Sequence, residues 1–325
     1  MESLSKKKVL VVGLGISGIA ACNLLLSQKA DVTAIDQSEE RNEDGIEALS
    51  KKGTEIQWGV DKCPEKPWDL VVLSPGIDPD SSLLKNLDPE IDIIGELELA
   101  SRLSQCLNIA ISGTNGKTTV TQLIDHILTH SLRKVAAAGN IGVPYCEVVP
   151  KSRDLDFAIL EVSSYQLQTI KYFRPVIGVL TNISPDHFER HNSLEEYARS
   201  KAEMFKNQQL FDWAIIQSEA LAYLRTIGEN IRSKTITFSS KNRNADIYCE
   251  RGMIVSRIPD WAGPILDVEK LGFMGGHNAE NIMAALCVGR VLRVPLEQMV
   301  EAIKTFKIAP HRCELIAGRR GQVDQ

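Results

Sequence analysis

The chain has no C-x-x-C pair, no long basic block, no internal repeat and no low-complexity tract. Its seven cysteines, at 22, 63, 106, 146, 249, 287 and 313, are scattered and odd in number. That pattern argues against a disulfide framework and for a reducing, cytoplasmic setting. With a net charge of −5, nucleic acid is not an expected partner. Long apolar runs are also missing, so no segment approaches the ~18 apolar residues of a membrane span, and no membrane partner is expected. Lys6-Lys7-Lys8 ahead of the uncharged stretch Val9 to Gln28, with Ala21-Cys22, imitates a secretory signal. Gly13, Gly15, Ser17, Gly18 and Asn23 interrupt that stretch, which divides into a strand, a turn and a helix instead. The composition, 43% hydrophobic and 24% charged, is that of a soluble globular protein, and 325 residues lead us to expect two domains.

The organising stretch is Asn108 to Thr119, N-I-A-I-S-G-T-N-G-K-T-T. An apolar run (Ile109, Ala110, Ile111) enters a glycine-containing turn, Gly113-Thr114-Asn115-Gly116. Lys117, Thr118 and Thr119 then open a helix running to His130. Free N–H groups and the dipole at such a helix start attract polyanions. Gly113 and Gly116 let the backbone close round a phosphate. Lys117 can reach the β- and γ-phosphates, and the Thr118 hydroxyl can sit on a magnesium ion. The full Walker spacing fails, because Ile111 stands where its first glycine would be. An ATP site remains the expectation. His126 and His130 lie four apart on this helix, but no acid motif accompanies them, and they read as a solvated face.

Ahead of this stretch, Val9 to Val12 reads as a buried parallel strand. Gly13-Leu-Gly15-Ile-Ser-Gly18 follows, then a helix to Ser27 and a second strand, Asp31 to Ile35, ending at Asp36. An acidic residue about 20 positions after the glycines is the ribose-binding feature of a dinucleotide fold. The ligand stays open, because NAD and a UDP-sugar offer the same pyrophosphate and ribose. The strand Asp69 to Leu73 runs into Ser74-Pro75-Gly76, a turn placed where open α/β sheets bind ligands. The domain boundary is expected near Gln105.

After the phosphate loop, the strand Lys134 to Ala138 ends in Gly139-Asn140-Ile141-Gly142. Asp156 to Glu161 is an apolar strand ending in a carboxylate, placed to set an anion beside the nucleotide's metal. Val176 to Thr181 leads to Asn182-Ile-Ser-Pro-Asp186-His187, and a helix from Leu194 to Gln208 carries Lys201. Taken alone, these last residues read as a turn, a surface histidine and a solvated lysine. Asp246 to Cys249 and Met253 to Ile258 form a hairpin around Arg251-Gly252. Asn278 and Asn281 lie three apart at the start of a helix, where amides can hold an adenine or ribose edge, or where Asn278 is only a cap.

Gly113 to Thr119, Gly139 to Gly142, Glu161-Val-Ser-Ser-Tyr-Gln-Leu167, Asp186-His187, Gly276-His-Asn-Ala-Glu-Asn281 and Pro310-His-Arg312 stand in the order found in the Mur ligases. The chain resembles that family over essentially its whole length, and within it the D-glutamate-adding branch. The resemblance implies an α/β fold with a Rossmann-like parallel-sheet domain (1–104) and a central P-loop NTPase-like ATP-binding domain (105–312). It implies an ATP-dependent ligase that joins D-glutamate to UDP-N-acetylmuramoyl-L-alanine through an acyl phosphate, in peptidoglycan precursor synthesis. Thr118, Glu161, His187 and Lys201 would hold magnesium, Lys201 as a carbamate. Asn278, Asn281 and Arg312 would contact ATP, alongside residues 113–119. Asn140, Ser163 and Gln166 would face the substrate, and Gly13, Gly15, Gly18, Asp36, Ser74 and Gly76 would hold the UDP.

Two features depart from the family pattern. Gln37-Ser38 follow Asp36 where a Thr or Arg is expected to grip the uridine diphosphate. The chain also stops at Gln325, so residues 313–325 are expected to be the stub of a further domain, with activity impaired. The alternatives are a nucleotide-binding remnant without catalysis, and an NAD-dependent oxidoreductase built on Gly13 to Gly18 and Asp36.

Overall fold

The structure is a computed structural model describing residues 3–39, 44–140, 142–185, 193–270 and 275–307. The first unit runs β1 (Lys8–Val12), α1 (Ile16–Ser27), β2 (Asp31–Ile35), α2 (Asp44–Lys51), β3 (Glu55–Gln57), β4 (Leu70–Leu73) and β5 (Ile93–Gly95). Its five strands are parallel in the order β3-β2-β1-β4-β5. A parallel strand is buried on both sides, and β1 illustrates this. Val9 and Val11 join the apolar cluster under α1, while Leu10 and Val12 join Ile35, Leu73 and Leu83 on the other face.

Gly18 explains why α1 lies so close to β1. A Cβ there would come within 1.8 Å of the Gly13 carbonyl oxygen, a distance only a bare Cα avoids. A helix, α3 (Glu96–Leu103), then leads to the second sheet.

That sheet contains β6 (Leu107–Ser112), β7 (Val135–Gly139), β8 (Phe157–Glu161), β9 (Ile177–Leu180), β10 (Trp213–Gln217), β11 (Lys234–Ser239), β12 (Ile247–Glu250), β13 (Met253–Ser256) and β14 (Gly263–Asp267). The order is β14-β13-β12-β11-β10-β9-β6-β8-β7, parallel from β7 to β12, with β13 and β14 antiparallel at the edge. The helices are α4 (Lys117–His130), α5 (Tyr145–Val148), α6 (Ser164–Leu167), α7 (Leu194–Ala202), α8 (Ser218–Thr226), α9 (Gly276–Val291) and α10 (Leu296–Thr305). One sheet face is covered by α4, α9 and α10 around Ile109, Ile124, Ile282 and Met299.

The expected α/β architecture is present. The hairpin falls at Arg251 and Gly252, both with positive φ, which suits a tight two-residue turn. Three details differ from expectation. α7 ends at Ala202 and passes into a 3-10 turn, Glu203–Phe205, instead of running to Gln208. β14 has no counterpart in the sequence reading. His126 is not simply solvated: its ring meets the Thr305 hydroxyl at 3.0 Å and tilts against Phe306. Among the described residues no helix is long and apolar enough to cross a membrane, and their six cysteines are free.

Candidate active site at the phosphate loop and the inter-sheet cleft

The phosphate loop joins β6 to α4. Gly113 (φ +145) and Gly116 (φ +84) occupy backbone regions that favour glycine, and both are hemmed in. A Cβ on Gly113 would meet the Thr181 hydroxyl at 1.9 Å, and one on Gly116 would meet Asn281 Oδ1 at 2.3 Å. The loop is therefore pressed between the end of β9 and the start of α9.

Sequence reasoning missed how firmly β9 braces it. Asn182 Oδ1 accepts the Asn115 N–H (2.9 Å), and Asn182 Nδ2 donates to the Asn115 carbonyl (3.0 Å). The Thr181 hydroxyl donates to the same carbonyl, and Thr114 exchanges hydrogen bonds with Ser184. Lys117 Nζ lies across the loop, donating to the Gly113 and Thr114 carbonyls at 2.9 and 2.8 Å.

A cleft of about 580 Å³ opens over this loop and brings together Thr114 to Thr119, Asn140, Glu161, Asn278 and Asn281. Asn182, His277 and Glu280 also line it, and the sequence reading gave none of them a role. The pattern carried a signal for Glu280, an acid within the turn that bears both asparagines. Its carboxylate accepts from Ser240 N–H (3.0 Å), Ser240 Oγ (2.7 Å) and Gln217 Nε2 (3.0 Å), tying the start of α9 to the ends of β10 and β11.

Glu161 ends β8 and is only 3% exposed. Asn140 Nδ2 donates to its Oε1 at 3.3 Å, while Oε2 is buried without a hydrogen-bond partner among the described residues. An orphaned buried carboxylate oxygen in a cleft also lined by Thr118 and a phosphate loop offers oxygen donors of the kind magnesium takes. No group of three or more His, Cys, Asp or Glu among the described residues could hold a metal unaided. Any ion here would lean on phosphate oxygens too, as magnesium usually does. Lys201, 1% exposed, donates from Nζ to the Gly113 carbonyl (2.9 Å) and sits 4.2 Å over the Tyr197 ring. His187 and Arg312 lie outside the described residues.

A second cleft, about 300 Å³, lies between the two sheets and is lined by Ser74, Gly76, Asn140 and Gln166 among others. Gly13 abuts it, since a Cβ there would be 2.8 Å from Ser74 Cβ. Gly15 is near the Ser74 hydroxyl, and Gly18 is given over to helix packing. Ser163 and Gln166 satisfy each other in a capping box at the start of α6. The Asp36 carboxylate accepts the Leu14 N–H (2.7 Å) on one oxygen and Ser38 N–H and Oγ on the other, so it shapes the glycine turn directly.

Residues 7–95 match the MurD-like N-terminal domain of the Mur ligases, and residues 111–289 match the Mur ligase middle domain. UDP-N-acetylmuramoylalanine–D-glutamate ligases of Lachnoclostridium phytofermentans and Koribacter versatilis are 38% and 37% identical over 97% of this chain. This chain belongs to the Mur ligase family. It spans about 70% of the length of those curated relatives.

Solved Mur ligase structures share the fold at low identity. The UDP-N-acetylmuramate:L-alanyl-γ-D-glutamyl-meso-diaminopimelate ligase of Neisseria meningitides has a TM-score of 0.62 at 16% identity, covering 94% of this chain and 99% of that one. The MurF ligase of Thermotoga maritima, solved in complex with ADP, has a TM-score of 0.53 at 17% identity, covering 95% and 68%. In this Mur ligase the Gly13–Gly18 turn and Asp36 fall within the MurD-like match, which leaves the oxidoreductase alternative without support.

Proposed function

We propose that this Mur ligase joins D-glutamate to UDP-N-acetylmuramoyl-L-alanine at the expense of ATP, in cytoplasmic peptidoglycan precursor synthesis. The relatives that carry this name support the reaction. The observation that carries the site assignment is Asn140. It lines both clefts and hydrogen-bonds Glu161, so a nucleotide in one and a sugar nucleotide in the other would meet there. In this reading residues 1–104 hold the UDP moiety and residues 105–312 hold ATP.

The γ-phosphoryl group passes to the alanine carboxylate, giving an acyl phosphate and ADP. The amine of D-glutamate then displaces inorganic phosphate and loses a proton as the amide forms. Bringing a carboxylate to a triphosphate sets like charges together, and the chain's answer is positive charge and aimed donors. The backbone N–H groups opening α4 and the Lys117 ammonium hold the β- and γ-phosphates. Asn278 and Asn281 face the nucleoside end, with Arg312 assigned there by family position. Asn140 holds the acceptor carboxylate near Glu161, while Ser163 and Gln166 shape the wall beside it. Thr118, Glu161, His187 and Lys201 (as a carbamate) would hold magnesium, which screens the phosphate charge. Ser74 and Gly76, with Gly13 and Gly15 in the turn that Gly18 and Asp36 shape, form the UDP end.

Phosphate release with ATP, UDP-N-acetylmuramoyl-L-alanine and D-glutamate tests the assignment. Release that requires all three supports it. Release indifferent to D-glutamate, or binding of NADH in preference to the sugar nucleotide, contradicts it.

A further inference from the structure

α3 carries Glu96-Leu97-Glu98, two carboxylates two residues apart, which leave the helix about 200° from one another. Both are almost fully buried, at 1% and 0% exposure; Glu98 is fully partnered, whereas Glu96 Oε2 has no hydrogen-bond partner among the described residues. Glu98 gathers three consecutive backbone N–H groups, from Lys171 (3.0 Å), Tyr172 (3.0 Å) and Phe173 (2.9 Å). Arg102 Nε completes its shell at 2.8 Å. Arg102 also reaches Asp92 at 2.7 Å, and Lys171 Nζ closes on the same Asp92 carboxylate at 2.6 Å. On the other side of the helix, Glu96 Oε1 accepts the Cys146 N–H at 2.6 Å.

These contacts share one consequence. Two stretches of the second unit line the inter-sheet cleft, one through Asn140, Gly142 and Pro144, the other through Gln166. The first is fastened at Cys146 by Glu96, and the second at 171–173 by Glu98. Between those points Gly95 is so close to Thr169 that a Cβ would lie 2.2 Å from its hydroxyl. An apolar cluster runs unbroken from Val9 and Val11 through Leu97 and Leu99 to Ala110 and Leu160. The joint between the sheets is therefore already close-packed, and the carboxylates act on the loops rather than on adhesion of the sheets. The phosphate loop has separate supports, from Thr181 and Asn182.

We propose that Glu96 and Glu98 are positioning residues for the sugar-nucleotide substrate, clamping the two loops that face Ser74–Gly76 so that the inter-sheet cleft is preformed. This rests on the reading of that cleft as the UDP-substrate site. Removing the Glu98 carboxylate would leave three neighbouring N–H groups without their acceptor. The loop would then relax while α4 and its phosphate loop stay in place.

The test compares the wild type with Glu98→Gln and Glu98→Ala by hydrogen exchange, and by calorimetric titration with UDP-N-acetylmuramoyl-L-alanine and, separately, with ADP. Glu98→Gln keeps the side-chain volume and guards against a misfolded alanine variant. We expect faster exchange at the 171–173 amides, sugar-nucleotide affinity lower by about tenfold, and ADP affinity within about twofold of wild type, a split that loss of one buried acceptor set can produce. Unchanged sugar-nucleotide affinity despite faster exchange would overturn the proposal, as would an equal loss for both ligands. Absence of sugar-nucleotide binding by the wild type itself would sink the substrate reading instead. The clamp would then stand or fall on exchange at residues 171–173.

Discussion

Lys201 is buried with its Nζ on the Gly113 carbonyl, and as a member of the proposed ligand set its ammonium would repel any divalent cation brought in by ATP. Addition of carbon dioxide to its amine, with loss of a proton, turns that repulsion into an oxygen ligand. Protein prepared in 13C-bicarbonate should give a carbamate carbon signal that Lys201→Ala abolishes. A signal that survives the substitution, or none in the wild type, would remove Lys201 from the ligand set.

Glu96 makes the stability of the fold depend on pH. Burial, reinforced by the nearby Glu147 charge and only partly offset by the Cys146 N–H, raises its carboxyl to about 7. The folded chain thus holds a proton there that the unfolded chain gives up near pH 4.5. Stability should fall as pH rises from 4.5 towards 7, by about 3 kcal/mol from this group, and stay flat above. Glu96→Gln removes that slope. Denaturant titrations from pH 5 to 8 check it, and equal slopes for both proteins would contradict it. Neither glutamate was legible in the sequence as more than part of a helix. Acids at alternate positions of a surface helix are usually solvated, and only tertiary packing buries these two. The residues of the phosphate loop were legible because their chemistry is local: a strand, two glycines, a lysine and a helix start, all within a dozen positions.

Among elements, β9 has the largest unforeseen role. Its residues beyond Leu180 supply Thr181 and Asn182, which engage the Asn115 backbone at both its N–H and its carbonyl. Asn182→Ala deletes two of these hydrogen bonds and frees the loop crest. ADP affinity should fall by about tenfold, the scale of two modest hydrogen bonds, with a midpoint of thermal unfolding only a few degrees lower. Calorimetry with ADP measures this, and unaltered affinity would mean the brace is redundant. The sequence could not disclose it, since 67 residues separate Asn115 from Asn182 and nothing local marks the pairing. β14 went unread for a related reason. Gly263 and Pro264 disguise an edge strand that pairs, among the described residues, with β13 alone, where proline is tolerated.

For the whole molecule, a parallel sheet and a second sheet parallel from β7 to β12, with glycine turns at the carboxyl ends of the parallel strands, follow from apolar runs, and those were legible. How the sheets meet was not. That geometry depends on α3, on the shared apolar cluster, and on Asn140 lying where the two clefts join. In the proposed function, ATP and the sugar nucleotide occupy those clefts and converge on Asn140 and Glu161. A crystal structure with magnesium, a non-hydrolysable ATP analogue and UDP-N-acetylmuramoyl-L-alanine tests it most directly. We expect phosphates on the N–H groups opening α4, the uridine diphosphate against Ser74–Gly76, and the alanine carboxylate beside Asn140, facing the γ-phosphate. A sugar nucleotide bound away from the inter-sheet cleft, or an ATP analogue whose γ-phosphate points away from Glu161, would contradict it.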